Sequence, residues 1–257
     1  NLGVKIIKEN KKVIIYGNGL KSLKKPKKNI YLGNSGTSAR LLSGLLASQP
    51  FNSVLEGDES LSSRPMNRIM DPLKIMGAEF KNVSGKLPLE IIGKKLKSSK
   101  ISVEIPSAQI KSGLLLAGLN TEGLTTIVEK NITRNHTENM LKSFGANLEI
   151  SKVGTETHLN IYGNNELNSK NINVPSDLSS ASFFIVAALI NKGSKIYMKN
   201  INLNPTRDGI LKALNMMGAK INISNKRIQS EEFVADIETE YSKLKGCELN
   251  LEFSKLM

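Results

Sequence analysis

The chain has 257 residues, 39% of them hydrophobic, with 36 lysines and arginines against 23 aspartates and glutamates and a net charge of +13. That size and composition suit two globular domains with real cores; one cysteine, Cys247, excludes a disulfide framework or a multi-cysteine metal site and fits a reducing compartment. No apolar run reaches the roughly 18 to 20 residues of a membrane helix, and with 5% aromatic residues and no Trp the positive charge lacks the stacking platforms of most nucleic-acid binders.

In chain order, residues 1–17 read as the tail of a repeating unit, in which Gly3-Val4 leads into an alternating segment ending IIYG at Gly17. KSLKKPKK at 21–28 reads as a Lys-rich loop. The first whole unit runs from Ile30 to Gly93: a strand at YLG, a helix over Thr37 to Ala47, a strand at SVLEG, a helix over Met66 to Met76, and a hairpin ending EIIG. The second has the strand ISVEI, a helix over Ser107 to Leu119, the strand TTIVE, a helix over Thr137 to Phe144, and a hairpin ending NIYG at Gly163. The third opens with a strand at NINV and continues through helices over Leu178 to Ile190 and Arg207 to Met217, with SKIYMKN between them. It fades after KINIS and Asn225.

A period of about 70 residues is carried by Gly-Ala at Gly77, Gly145 and Gly218 and by Ser-rich helix openings at Ser35, Ser107 and Ser179. Each unit is therefore βαβαββ, an α/β (α+β) pattern whose right-handed crossovers place the helices on one side of a small mixed sheet. The polar stretch around 170–176 reads as a hinge between domains or as an ordinary loop between units.

Candidate chemistry sits where strands hand over to helices. In LGNSGTSARLL, Gly33 and Gly36 permit a tight turn, and Ser35, Thr37 and Ser38 are good cap residues. Free N–H groups and the helix dipole make such a start attractive to anions, and PSAQIKS and PSDLSSAS repeat it in phase. Arg64, just before Pro65, places a planar fork at a helix start suited to carboxylate or phosphate, and Arg134 in ITRNHTENML holds the matching place in the next unit. His136 reads as a cap or surface residue before it reads as a catalyst, and His158 has no partner motif. Neither HExxH, GxSxG, a Walker loop nor a helix-opening GxGxxG occurs. The net charge reads either as a compositional habit for Lys and Asn or as a field that draws a small polyanion into a cleft.

The blocks GNSGTSARLL, EGDESLSSRPMNRIMDPLKIMGA, PSAQIKSGLLLAGL and TRNHTENMLKSFGA resemble the 5-enolpyruvylshikimate-3-phosphate synthase family (3-phosphoshikimate 1-carboxyvinyltransferases), in the bacterial class that carries Ser-Ala-Gln. The resemblance covers essentially the whole chain. It implies the enolpyruvyl transferase fold, two inverse α/β barrel domains of three βαβαββ units each, with residues 1–173 forming most of the first domain and 174–257 the first part of the second. It implies transfer of the enolpyruvyl group of phosphoenolpyruvate to the 5-hydroxyl of shikimate 3-phosphate, with no metal or other cofactor. By position, Gly36, Arg64 and Gln109 would bind phosphoenolpyruvate, and Ser107, Ala108, Gln109 and Arg134 would bind shikimate 3-phosphate. A cytoplasmic monomer is expected, with neither nucleic acid nor membrane as partner.

The family's N-terminal Lys-Ser and following Arg, and its catalytic Asp and Lys-Glu-Ser-Asp-Arg stretch, have no counterpart in the 257 residues, so an internal fragment without turnover is expected. Two other readings stay open. A UDP-N-acetylglucosamine enolpyruvyl transferase shares the unit fold, but Cys247 lies near the wrong end for its cysteine-bearing loop. A noncatalytic polyanion-binding module would explain the charge but not SAQ and SRPM together. Glyphosate, which competes for the phosphoenolpyruvate site in the family, is the expected inhibitor. In a full-length enzyme Gly36→Ala is expected to weaken glyphosate more than phosphoenolpyruvate, and equal losses in inhibition and saturation curves would contradict that expectation.

Overall fold

The computed structural model describes residues 2–81, 84–250 and 253. Its contacts divide the chain into two compact units, Asn1–Ile132 with Phe144–Ser169, and Thr133–Ser143 with Lys170–Met257.

The first unit begins with a hairpin of β1 (Lys5–Glu9) and β2 (Lys12–Tyr16). It then repeats one pattern. The first copy has β3 (Ile30–Tyr31), α1 (Gly36–Ala47), β4 (Ser53–Glu56), a short α2 (Glu59–Ser62), α3 (Asn67–Ile75), β5 (Glu79–Lys81) and β6 (Leu89–Ile92). The second has β7 (Lys100–Val103), α4 (Ala108–Leu119), β8 (Leu124–Glu129), then β9 (Leu148–Val153) and β10 (Glu156–Tyr162). The sheet orders match, β3-β4-β6-β5 and β7-β8-β10-β9, with the first pair parallel and the rest antiparallel. Between β8 and β9 runs α5 (His136–Ser143), whose contacts lie in the second unit. That unit also contains α6 (Leu178–Ile190), β11 (Lys195–Asn202), α7 (Gly209–Met216), β12 (Lys220–Gln229) and β13 (Glu232–Glu240), with sheet order β11-β13-β12.

The recurring glycines turn out to serve two different needs. After α3 and α7, Gly77 and Gly218 take φ of +87° and +84°, and the next amide, of Ala78 and Ala219, donates back to Leu73 O and Leu214 O at 3.0 Å each. This is the left-handed helix stop that glycine adopts without a Cβ penalty, and no atom crowds either position. The glycines that close the hairpins are instead steric. A Cβ on Gly93 would lie 2.1 Å from Phe51 O, and one on Gly163 1.6 Å from Thr121 O, because the chain there returns to the end of the first helix of its repeat: Lys94 N donates to Ala47 O of α1 and Asn164 N to Leu119 O of α4.

A third glycine pair sets the helix packing. A Cβ on Gly44 of α1 would fall 1.8 Å from Gly113 O of α4, and one on Gly113 would fall 2.7 Å from Arg40 O. Glycine inside a helix costs about 1 kcal/mol relative to alanine, so its presence at the facing positions reflects the close backbone approach it permits. Around this contact lie Leu46, Leu55, Ile69, Leu73, Leu89, Ile91, Ile101 and Leu114, all fully buried. α4 is enclosed so completely that Lys111 is 1% exposed, and its ammonium pairs with Glu129 Oε2, itself 3% exposed, at 3.0 Å. Removing one partner of such a pair leaves a buried charge uncompensated. In the second unit, Leu178, Ile185, Leu189, Ile201, Leu214 and Ile237 form the core. Asp236, 6% exposed, ties together the two irregular places of that sheet by accepting from Asn200 N, Asn225 Nδ2 and Tyr197 OH at 3.0, 3.0 and 2.8 Å.

Three expectations change. NINV forms no strand: only Ser176 bridges to Ile201, in parallel, since Pro175 lacks a ladder donor and Val174 is 86% exposed. The helix expected from Arg207 starts at Gly209, because Asn204 Oδ1 draws Thr206 N into a side-chain turn at 2.9 Å. The third hairpin does not fade after Asn225 but runs to Glu240 through a tight turn at Ser230 and Glu231, with φ of 51° and 63°; neither residue type signals that turn. At the Ser-rich opening of α6 the cap is Asp177, which accepts from Ser180 N at 2.9 Å.

Gly44→Ala is expected to cost about 1–3 kcal/mol in urea denaturation despite alanine's better helix propensity; an unchanged midpoint would show that α1 and α4 can separate freely.

Candidate functional site

In the first unit the site grows from two helix starts. Ser35 caps α1, accepting from Ser38 N at 3.2 Å, and Ser107 caps α4, accepting from Ile110 N at 3.4 Å. Two residues past each cap stand Thr37 and Gln109. Because the repeats are equivalent and the Gly44–Gly113 contact draws the helices together, these two positions, 72 residues apart, meet: Gln109 Nε2 donates to Thr37 Oγ1 at 2.9 Å. One turn into α1, Arg40 Nη1 donates to Gln109 Oε1 at 3.0 Å and to Gly36 O at 3.2 Å, while Nη2 reaches Pro65 O at 3.4 Å.

Arg64 approaches from the loop ahead of α3. It donates to Asn34 Oδ1, and Asn34 Nδ2 in turn donates to Asp58 Oδ2 at 3.0 Å. Asp58 caps α2 by accepting from Leu61 N at 2.7 Å, so the short helix braces the arginine through one amide. Gly36 lies between the guanidiniums: a Cβ there would sit 2.8 Å from Arg40 Nη1 and 3.2 Å from Arg64 Nη1. Burial, reinforced by the charges of Arg64 and Arg68, lowers the pKa of Arg40 from its ordinary value. Among the described residues none of the three arginines is in an ion pair. Three cations and two helix starts without a balancing carboxylate form a receptor for an anion with more than one negative group.

Of the residues singled out in the sequence, Gly36, Arg64, Ser107, Ala108 and Gln109 fall in this unit, with Ala108 opening α4. Arg134 falls in the second unit. There its pKa is lowered by burial and by Arg207, against the opposing effect of Asp177, and Arg207 itself pairs with Asp177 at 3.2 Å and donates to Ser179 Oγ. Arg40, Arg68 and Asn34 were not expected. The one signal for Arg40 is its position a helical turn after Gly36, which puts both on one face.

The residues after Arg134 are pinned by a carboxylate hub. Glu232, with a side chain 12% exposed, contacts His136 Nδ1 at 2.8 Å and accepts from Asn202, Asn204 and Asn139 at 3.0, 3.2 and 3.3 Å. Asn204, 1% exposed, also donates to Asn135 Oδ1 at 2.7 Å. Burial alone would raise the Glu232 carboxyl, but the hydrogen bonds from His136 and the asparagines outweigh it and hold its pKa at about 2. His136 is thus a structural partner of Glu232. Among the described residues no three His, Cys, Asp or Glu side chains are grouped to hold a metal ion, and no helix is long and apolar enough to cross a membrane.

Residues 1–254 match the family model described as EPSP synthase (3-phosphoshikimate 1-carboxyvinyltransferase). The chain belongs to this family. It is 47% identical to the 3-phosphoshikimate 1-carboxyvinyltransferase of Vesicomyosocius okutanii subsp. Calyptogena okutanii (strain HA), over 97% of the chain and 57% of the relative. It is 46% identical to that of Ruthia magnifica subsp. Calyptogena magnifica, over 100% and 58%. A solved EPSP synthase from Acinetobacter baumannii superposes with a TM-score of 0.87 at 43% identity, covering 99% of the chain and 57% of that structure. The enolpyruvyl transferase fold implied by the motif resemblance, with the βαβαββ units read from the repeat, agrees with this structural match, and the chain spans little more than half the length of the relatives it matches.

Glu232 makes stability depend on acidity in a defined window. Its folded pKa lies below the ordinary 4.5, so its contribution is present above about 4.5 and is lost as pH falls through about 2, at most about 3 kcal/mol in all. Denaturation of Glu232→Gln beside the parent is expected to show a deficit at pH 6 that shrinks toward pH 2, and a deficit independent of pH would refute the hub.

Proposed function

We propose that the chain serves 3-phosphoshikimate 1-carboxyvinyl transfer: the enolpyruvyl group of phosphoenolpyruvate moves to the 5-hydroxyl of shikimate 3-phosphate. The C–O bond between the enol carbon and the phosphate breaks, a C–O bond to the 5-oxygen forms, and the hydroxyl proton is lost as phosphate leaves. The observation that carries this reading is the group of Arg40, Arg64 and Arg68 without an acidic partner, set beside two capped helix starts in a chain of this family. Both substrates carry a phosphate and a carboxylate, the groups that guanidinium forks and helix N-termini match.

On this reading Gly36, Arg64 and Gln109 face phosphoenolpyruvate, with Arg64 neutralising an anionic end. Ser107, Ala108 and Gln109 face shikimate 3-phosphate from the start of α4, and Arg134 is assigned to the same ligand by its place in the family motif. The fixed cations act by electrostatic stabilisation, already oriented before charge moves. Glyphosate, as a small carboxylate-phosphonate, suits the same arginines. By motif order residues 1–173 and 174–257 are assigned to the family's first and second domains, a division that differs from the compact units in placing 133–143 and 170–173 with the first; the protein is assigned to the cytoplasm as a monomer, and the single cysteine, exposed, supports a reducing compartment.

Titration calorimetry of the chain against shikimate 3-phosphate, phosphoenolpyruvate, UDP-N-acetylglucosamine and a short RNA tests the assignment. Preference for the first two is expected, with Arg64→Ala weakening phosphoenolpyruvate by roughly 10- to 100-fold, the worth of one or two charge-assisted hydrogen bonds. Preference for the UDP-sugar or the RNA would overturn it.

A further inference from the structure

Arg40 differs from the other two arginines in how much of its guanidinium is already engaged. Its fork meets three acceptors from three segments: Gly36 O in its own helix, Gln109 Oε1 at the start of α4, and Pro65 O ahead of α3. Among the described residues the Arg64 guanidinium donates to the side chains of Asn34 and Ser60 alone, and the exposed Arg68 side chain has no hydrogen bond. An arginine that grips a ligand keeps an edge of its planar fork open toward it. The half-buried fork of Arg40 is instead engaged by acceptors of the protein itself.

That arrangement decides which way the Gln109 amide points. Its Oε1 accepts from Arg40 at 3.0 Å and its Nε2 donates to Thr37 Oγ1 at 2.9 Å. Rotated by 180°, the amide would set its NH2 against a guanidinium, donor against donor, and lose that hydrogen bond. Gly36 bears on the same contact independently. The nearest atoms a methyl group would meet there are Arg40 Nη1 and Arg64 Nη1, with Leu61 Cδ1 farther off at 3.8 Å.

We infer that Arg40 is a positioning residue: it fixes the amide orientation of Gln109 and ties the Arg64–Pro65 loop to α1, and glycine is needed at 36 because a side chain there would displace the Arg40 guanidinium. The orientation itself follows from the protein's own contacts. Its consequence for binding rests on the reading that Gln109 and Arg64 take phosphoenolpyruvate.

The test uses the whole chain, labelled with 15N in its glutamine side chains. Without ligand, Arg40→Lys keeps the charge but removes the fork, and Gly36→Ala keeps Arg40 but crowds it. Both are expected to move the Gln109 Nε2 signals while leaving the backbone spectrum of the rest of the unit in place. In calorimetry with phosphoenolpyruvate, Arg40→Lys is expected to weaken binding roughly 10-fold, and by less than about 2-fold when made in a Gln109→Leu background, because coupled residues are not additive. Unmoved Gln109 signals in both variants would overturn the inference, as would an equal loss of affinity in both backgrounds, which would make Arg40 an independent ligand. If the parent chain binds no phosphoenolpyruvate while the Gln109 signals move as expected, the ligand assignment fails and the positioning role stands.

Discussion

The close contact of Gly44 with Gly113 is the constraint on which the first unit depends. Helices whose facing positions carry side chains lie about 8–10 Å apart, whereas here a carbonyl of one helix occupies the space a Cβ would take on the other. At that separation the glutamine side chain on α4 touches a hydroxyl and a guanidinium on α1. Packing and chemistry are therefore one problem, and two glycines of unfavourable helix propensity solve it.

The arginine group illustrates a general exchange between stability and function. Partly burying Arg40 and setting Arg64 and Arg68 near it without ion-paired carboxylates raises the energy of the folded state, as its pKa, lowered first by burial and then by the two neighbouring charges, reflects. The structure instead braces the cations with neutral acceptors. Asn34 stands between Arg64 and Asp58, so this carboxylate steadies the arginine through an amide and leaves its charge available to an anion. The second unit treats Glu232 in the opposite way, surrounding one carboxylate with His136 and three asparagines until its charge is fully satisfied. One arrangement leaves charge for a ligand and the other consumes it internally, which is why the first reads as a site and the second as a fastening.

Much of the fold was legible because it rests on local rules. The Gly-Ala helix stops need only a positive φ, the serine caps only a hydroxyl beside free N–H groups, and the period of about 70 residues needs only that one supersecondary unit recur. Helix α6 came out over the expected residues, and α4 differed only in that Ser107 is its cap. The misreadings fell where local signals conflict with context. NINV has strand composition but is followed by proline at an unburied place, and the Ser230-Glu231 turn uses residues that ordinarily avoid positive φ.

The sequence by itself determined the repeat, most of the order of strands and helices, the capped starts of α1 and α4 and the motif residues Gly36, Arg64 and Ser107 to Gln109, because each depends on neighbours within a turn or two of chain or on a recognisable word. Tertiary structure decided what those residues meet. That Thr37 touches Gln109, that Arg40 serves the glutamine, that residues 133–143 leave the second repeat for the other unit, and that His136 finds Glu232 across 96 residues are matters of helix separation and chain return. Such contacts are fixed by backbone approach and burial summed over the whole unit, and no local pattern in the chain encodes them.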